Sequence, residues 1–114
     1  MQFEGIYTPL VTPYHDDFSL NEAALVETVE HLIAAGVHGI VVAGSTGEYY
    51  AQTPEERLEM MTRCAGLING RVPMVTGTGA IRTEDSIMYA KAAKAAGADA
   101  LLVATPPYAY PTGR

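Results

Sequence analysis

The chain contains one cysteine, no tryptophan and only seven Lys and Arg residues among its 114 residues. A single cysteine cannot form an internal disulfide, which is typical of proteins from a reducing compartment. The basic residues are scattered and the net charge is −6, so we expect no nucleic-acid-binding surface. No apolar run approaches the roughly 18 residues that a membrane span needs, and the first residues lack the pattern of a signal peptide. These absences together predict a cytoplasmic protein that binds neither nucleic acid nor a membrane.

Side chains that could carry chemistry on their own are equally few. The three histidines fall in a loop, within a helical pattern and before a strand, so we predict no metal site. Cys64 lies inside a helical pattern, away from any candidate base, and we interpret it as a small core residue. Lys91 and Lys94 are the only lysines. Both belong to the third helical pattern, where we expect solvated surface residues.

Short apolar runs and helical patterns alternate along the whole chain. Four apolar runs are predicted to be strands, and they are found at residues 6–11, 39–43, 72–76 and 100–104. Strands that are apolar on both faces are typical of a parallel sheet covered by helices. Three helical patterns separate these runs, so we predict the order β-α-β-α-β-α-β in a single domain over residues 1–114.

Local signals mark where the helices begin and end. Ser19 followed by Glu22 predicts a capping box at the start of a first helix over residues 20–35. Thr53, with Pro at the first helical position and Glu56 at the third, predicts the start of the second helix. The remaining boundaries are predicted at Thr83, which opens the third helix, and at Gly36 and Gly97, which end the first and third.

The loops that follow the predicted strands are rich in hydroxyls and glycines. In a barrel and in a doubly wound open sheet alike, function gathers at the carboxyl ends of parallel strands. The segment Gly44-Ser45-Thr46-Gly47-Glu48 places two adjacent hydroxyls between two glycines, which suits the binding of a small carboxylate. The alternative is a tight turn whose Ser and Thr bond their own backbone. A Walker loop is excluded, because lysine is absent and the glycine spacing differs.

Two further loops complete a pattern that resembles a known family. Gly77-Thr78-Gly79 follows the third predicted strand, and a stiff, proline-rich segment holds Thr105-Pro106-x-Tyr108 after the fourth. In order and spacing, the loops resemble the dihydrodipicolinate synthase / N-acetylneuraminate lyase family of Schiff-base aldolases. The resemblance implies an α/β fold, the N-terminal part (β1-α1-β2-α2-β3-α3-β4) of a (β/α)8 TIM barrel. Residues 1–114 would then be a single incomplete domain, which forms a homo-oligomer, a dimer or tetramer, when full length.

The resemblance also implies a mechanism and a set of site residues. In such enzymes a lysine condenses with the carbonyl of pyruvate or another 2-keto acid, and the Schiff base serves as the electron sink without a further cofactor. Thr46 and Gly47 would belong to the substrate-binding turn, with Thr46 as the main donor to the keto acid's carboxylate. Ser45 and Tyr108 would be catalytic, as members of a proton relay that Tyr108 completes in a neighbouring subunit. The lysine would lie beyond Arg114, so this chain alone is predicted to be inactive.

Departures from the family pattern keep several functions open. Ser45 stands where many synthases have threonine, Pro107 replaces the first of two adjacent tyrosines, and Ala109 replaces an asparagine. The expectation is therefore a lyase or synthase that resembles 4-hydroxy-tetrahydrodipicolinate synthase or N-acetylneuraminate lyase. The alternatives are a 2-keto-3-deoxy sugar-acid aldolase or dehydratase of the same family, and a non-catalytic half-barrel or open-sheet binding module.

Overall fold

The computed structural model describes residues 2–107, which form four strands and three α-helices in strict alternation. The elements are β1 (Tyr7–Pro9), α1 (Glu22–Ala34), β2 (Gly39–Val42), α2 (Pro54–Ile68), β3 (Met74–Gly77), α3 (Thr83–Ala96) and β4 (Ala100–Leu102). The predicted order is confirmed, and each strand is shorter than its apolar run. None of the helices within this part of the chain is long and apolar enough to cross a membrane.

The four strands form one parallel sheet in the order β1-β2-β3-β4. Every crossover therefore joins neighbouring strands, and right-handed crossovers of this kind place their helices on one side of the sheet. In agreement, α1 contacts α2 and α2 contacts α3. A doubly wound sheet would instead reverse its strand order at one point. The arrangement is that of a (β/α)8 barrel segment.

The hydrophobic core lies between the sheet and the helix layer. Its fully buried side chains include Leu10, Leu25, Val29, Ile40, Val42, Met61, Cys64 and Ile68. Leu25 and Val29 are the buried residues of α1, and Cys64 is a core residue as predicted. Pro9, Val41, Val75 and Ala100 are in register and alternate with the core positions, so they belong to the opposite face of the sheet. No helix among residues 2–107 covers that face.

The predicted start of α2 is confirmed, whereas that of α1 is wrong. Thr53 Oγ1 accepts from the Glu56 amide at 3.2 Å, and the Glu56 carboxylate accepts from the Thr53 amide at 2.8 Å. For α1 the cap is Asn21, whose Oδ1 accepts from the Ala24 amide at 3.0 Å.

The hydroxyl of Ser19 is engaged outside the helix, because it donates to Asp17 at 2.6 Å. Leu20 forms a bridge with Tyr14, which holds Leu20 extended and delays the helix until Glu22. The helix ends agree with prediction, since Gly36 and Gly97 adopt positive φ values of +82° and +94°.

Candidate active site

The segment after β2 is a sharply bent turn at the carboxyl edge of the sheet. Ser45–Gly47 forms a single 3-10 turn, in which the Gly47 amide donates to the Gly44 carbonyl at 3.1 Å and the Glu48 amide donates to the Ser45 carbonyl at 3.0 Å. Ala43 before the turn and Glu48 after it both have positive φ, 56° and 58°. Non-glycine residues rarely adopt this region, and such strain is concentrated at functional sites.

The hydroxyls of the turn take no part in closing its backbone. Ser45 and Thr46 are exposed, while Gly44 and Gly47 on either side are buried. Within residues 2–107, neither hydroxyl forms a hydrogen bond to a protein group, and the turn is closed by backbone amides. The alternative in which Ser and Thr bond their own backbone is therefore not what the structure shows. Both side chains are available to a ligand.

The loop after β1 and the residue Gln52 are hydrogen-bonded to the turn. The Gly47 carbonyl accepts from Thr12 Oγ1 at 2.7 Å and from Gln52 Nε2 at 3.4 Å. Gln52 Nε2 also donates to the Tyr14 hydroxyl at 3.0 Å. A Cβ atom at Gly47 would lie 3.0 Å from the Leu10 carbonyl oxygen, so glycine allows this close approach. Sequence reasoning missed Gln52, because nothing in its local sequence indicates that it bridges two loops.

The third loop packs directly against the entrance of the turn. A Cβ atom at Gly77 would overlap the Ala43 carbonyl oxygen and lie 3.3 Å from the Gly44 amide nitrogen. Arg57, from α2, donates to the carbonyls of Gly79 at 2.8 Å and Gly77 at 3.2 Å. The predicted gathering of the loops at one edge of the sheet is thus present. Arg57 was not predicted, although its position on one helical stripe with Met60, Met61 and Cys64 is a signal that it faces the core.

Arg57 is a buried cation whose neighbours are backbone carbonyls and aromatic rings. Its residue is 4% exposed, and its guanidinium carbon lies 3.7 Å from the ring centroid of Tyr89 and 4.7 Å from that of Tyr49. No carboxylate within residues 2–107 pairs with it. Burial lowers the pKa of Arg57, yet an arginine keeps its charge in proteins. The site therefore contains one fixed positive charge next to the two loops.

The remaining predicted residues fall in three places. Tyr108 lies outside the described residues, so its role stays a prediction. Pro107, at the end of the described chain, lines a cavity of about 200 Å³ together with Tyr49 and Arg57. Lys91 and Lys94 are exposed in the second half of α3 and line a groove beside the beginning of β4. This groove lies at the amino ends of the strands, whereas the Ser45–Thr46 turn lies at their carboxyl ends. Among residues 2–107, no group of three His, Cys, Asp or Glu could hold a metal ion.

The sequence of the chain is similar to those of known proteins. The family model described as the dihydrodipicolinate synthetase family matches residues 2–114. The 4-hydroxy-tetrahydrodipicolinate synthase of Chelativorans sp. (strain BNC1) is 43% identical over 112 residues, which are 98% of this chain and 38% of that protein. That of Phenylobacterium zucineum (strain HLK1) is 44% identical over 110 residues, 96% of this chain and 37% of that protein.

Solved structures agree in fold. The dihydrodipicolinate synthase of Acinetobacter baumannii, in complex with pyruvate, is 37% identical with a TM-score of 0.93, over 97% of this chain and 38% of that one. A prophage protein of the dihydrodipicolinic acid synthase family from E. coli K12, also in complex with pyruvate, is 31% identical with a TM-score of 0.93, over 99% of this chain and 38% of that one.

The matches cover a larger share of this chain than of its relatives. They include nearly all of this chain, whereas the chain spans about 38% of the length of the curated relatives that it matches. The order of elements from β1 to β4 is the corresponding N-terminal part of the TIM barrel in these enzymes. On sequence and on structure alike, the chain belongs to the dihydrodipicolinate synthetase family.

Proposed function

We propose that this chain supplies the keto-acid-binding part of a Schiff-base lyase or synthase that acts on pyruvate or a related 2-keto acid. The observation that carries the proposal is the exposed Ser45–Thr46 hydroxyl pair, on a turn whose backbone is closed without those hydroxyls. A carboxylate is an acceptor only, and two adjacent donors match it. The pyruvate complexes of the A. baumannii and E. coli relatives support the choice of keto acid.

Each residue of the turn has a distinct part in the proposal. Thr46 donates its hydroxyl to the carboxylate. Gly47 shapes the binding turn, because its amide is engaged by Gly44 and its carbonyl by Thr12. Ser45 belongs to a hydroxyl relay with Tyr108, which moves protons while the carbonyl oxygen leaves as water and the Schiff base forms. Tyr108 reaches the site of a neighbouring subunit, so the full-length protein would be a dimer or tetramer.

The amine that forms the Schiff base comes, in this proposal, from outside the chain. Lys91 and Lys94 are solvated on α3 and lie at the wrong edge of the sheet to meet a keto acid bound at Thr46. The isolated polypeptide is accordingly expected to be inactive. The same carboxylate site would serve a 4-hydroxy-tetrahydrodipicolinate synthase, an N-acetylneuraminate lyase or a sugar-acid aldolase or dehydratase. The names of the curated relatives support the synthase.

A hybrid protein tests the proposal. It joins this chain to the part of the Chelativorans synthase that follows the matched region. Pyruvate and borohydride are expected to trap a covalent adduct, detected by mass spectrometry, on a lysine of the second part. The isolated chain under the same conditions should form none. An adduct on Lys91 or Lys94, or no adduct on a folded hybrid, would contradict the proposed division of roles.

Replacement of Thr46 by Val in the hybrid tests the carboxylate site itself. The change keeps the shape of the side chain but removes the donor. Loss of a hydrogen bond to a charged group costs about 1.5–3 kcal/mol, so pyruvate binding should weaken roughly tenfold to a hundredfold. Thr62→Val is the matched control, because Thr62 is an exposed residue of α2 whose hydroxyl bonds only within its helix. Equal pyruvate affinity in Thr46→Val and Thr62→Val would overturn the assignment.

A further inference from the structure

We propose that Arg57 is a positioning residue, which fixes the Gly44–Glu48 turn by holding the chain on both sides of it. No predicted role of the turn requires an arginine on α2, where Arg57 lies on the buried stripe of the helix. The inference rests on four contacts of a single buried guanidinium: two carbonyls of the third loop and the rings of Tyr49 and Tyr89. Only its effect on ligand binding rests on the proposed function.

Burial of a cation without a carboxylate partner needs compensation. A charged group removed from water is strongly destabilised unless other groups solvate it. For Arg57, the carbonyl oxygens of Gly77 and Gly79 accept from the guanidinium, while the rings of Tyr49 and Tyr89 lie close to it. Backbone carbonyls and aromatic faces both attract a cation. The charge is therefore stable only while the third loop and the rings stay in place.

On the entrance side of the turn, Arg57 acts through Gly77. Its Nη2 donates to the Gly77 carbonyl at 3.2 Å. Gly77 in turn has no space for a Cβ atom, because it packs against the carbonyl of Ala43 and the amide of Gly44. Ala43 and Gly44 directly precede Ser45. A displacement of Gly77 would therefore displace the first residues of the turn.

On the exit side, Arg57 acts through Tyr49, which follows Glu48. The guanidinium carbon lies 4.7 Å from the Tyr49 ring centroid. The Tyr49 hydroxyl lies against Gly79, where a Cβ atom would approach it to 3.1 Å, and Gly79 is itself bound by Arg57 at 2.8 Å. Arg57, Tyr49 and Gly79 thus form a closed set of contacts. Arg57 therefore supports the end of the turn through Tyr49, as it supports the beginning through Gly77.

The Gly44–Glu48 turn needs such external contacts because the residue before it, Ala43, and its last residue, Glu48, adopt a rare backbone conformation. Ala43 and Glu48 have φ values of 56° and 58°, which the surrounding structure has to maintain. Only arginine can make all four contacts together, since its group is planar, stacks on rings and donates from its edge. A lysine ammonium keeps the charge but has no planar group to stack on the rings. A methionine keeps the volume of the side chain and loses both the charge and the planar group.

Hydrogen exchange and pyruvate binding test the inference together. In Arg57→Met and Arg57→Lys, amide exchange of the full chain should become about tenfold faster in residues 43–49 and 77–80, with α1 unchanged. In the hybrid protein, pyruvate should bind both variants about tenfold more weakly. Arg63→Met is the matched control, because Arg63 also lies on α2 but pairs with Glu22 and Glu59 at the surface. It should change neither quantity.

The outcomes separate this inference from the proposed function. Unchanged exchange in residues 43–49 of Arg57→Met, or full recovery by Arg57→Lys, would overturn the positioning role. Faster exchange at the turn in variants whose pyruvate affinity is unaltered, with Thr46→Val equally without effect, would support the positioning role and reject the keto-acid site. Should Arg57→Met fail to fold, Tyr49→Leu keeps both hydrogen bonds of Arg57 and removes its contact on the exit side. Faster exchange at residues 47–50 is then expected, and an unaltered rate there would overturn the inference.

Discussion

Cys64 lies in the middle of α2 with its side chain fully buried against the core. Burial raises the pKa of this thiol from 9.0 to about 12. The thiolate is the reactive form, and at pH 8 only about one molecule in ten thousand would carry it. Cys64 in the native chain should therefore resist alkylation by iodoacetamide. We expect full modification only in denaturant, as measured by mass spectrometry, and rapid stoichiometric labelling of the native protein would contradict this.

At the scale of single residues, the sequence predicts the groups that meet a ligand better than the groups that support them. Ser45 and Thr46 could be identified because two adjacent hydroxyls between glycines form a local motif. Arg57 and Gln52 could not, since their function depends on loops that are distant in sequence and meet them only in the folded chain. Helical spacing places Arg57 on the buried stripe of α2 with Met60 and Cys64 and leaves Arg63 off it, but the spacing does not show which loops Arg57 binds.

At the scale of elements, the start of α1 gives the sharpest test of a local signal. The sequence offers Ser19 as the cap, and the structure uses Asn21. Asn21→Ala should lower the free energy of unfolding by about 1 kcal/mol, the usual effect of losing an N-cap. Ser19→Ala should lower it by less, because Ser19 bonds Asp17 in an exposed loop. Urea denaturation of the two variants measures the difference, and the reverse order would restore Ser19 as the cap.

The same comparison shows why helix starts differ in predictability. The signal at Thr53 is reinforced by Pro54 and Glu56, and all three are used. The Ser19–Glu22 signal competes with a second acceptable cap two residues later, and the Leu20–Tyr14 bridge decides between them. Glycine stops were predictable at Gly36 and Gly97 because few other residues tolerate their backbone conformation. Tertiary contacts decide where a helix starts when two local signals compete, as they do at α1.

At the scale of the whole molecule, the alternation of strands and helices was predictable, but the choice between barrel and open sheet was not. Both folds have the same period of elements, and only strand order and the side taken by the helices separate them. In the structure, the strand order is sequential and the helices form a single layer. The resemblance to a family pointed to the same choice from the loops.

The face of the sheet opposite the helices leads to a prediction about assembly. Leu102 and Val11 on that face are 48% and 47% exposed, and β1 and β4 each have one edge without a partner strand among residues 2–107. Exposed apolar surface and open strand edges favour association. The apparent mass of the 114-residue chain in sedimentation velocity should therefore increase with concentration.

A variant that places a charge on this face should weaken the association. Leu102→Lys is expected to shift the chain toward monomer. Val26→Lys, which changes an exposed apolar residue of α1 in the helix layer, is the matched control and should leave association unaltered. A monomer at all concentrations in the unmodified chain would show that the sheet face is satisfied within one molecule.

The bonds from Arg57 end on peptide oxygens, and this has a consequence for how the protein can evolve. A carbonyl group is the same whichever side chain its residue carries, so these two hydrogen bonds by themselves set no requirement on side chains. Gly77 is restricted for a different reason, since it has no space for a Cβ atom. Ile81, two residues after Gly79, is 78% exposed and can vary without loss of these bonds. Exposed positions beside the site can therefore change under selection for a new substrate, while the Arg57 contacts that support the Gly44–Glu48 turn are kept.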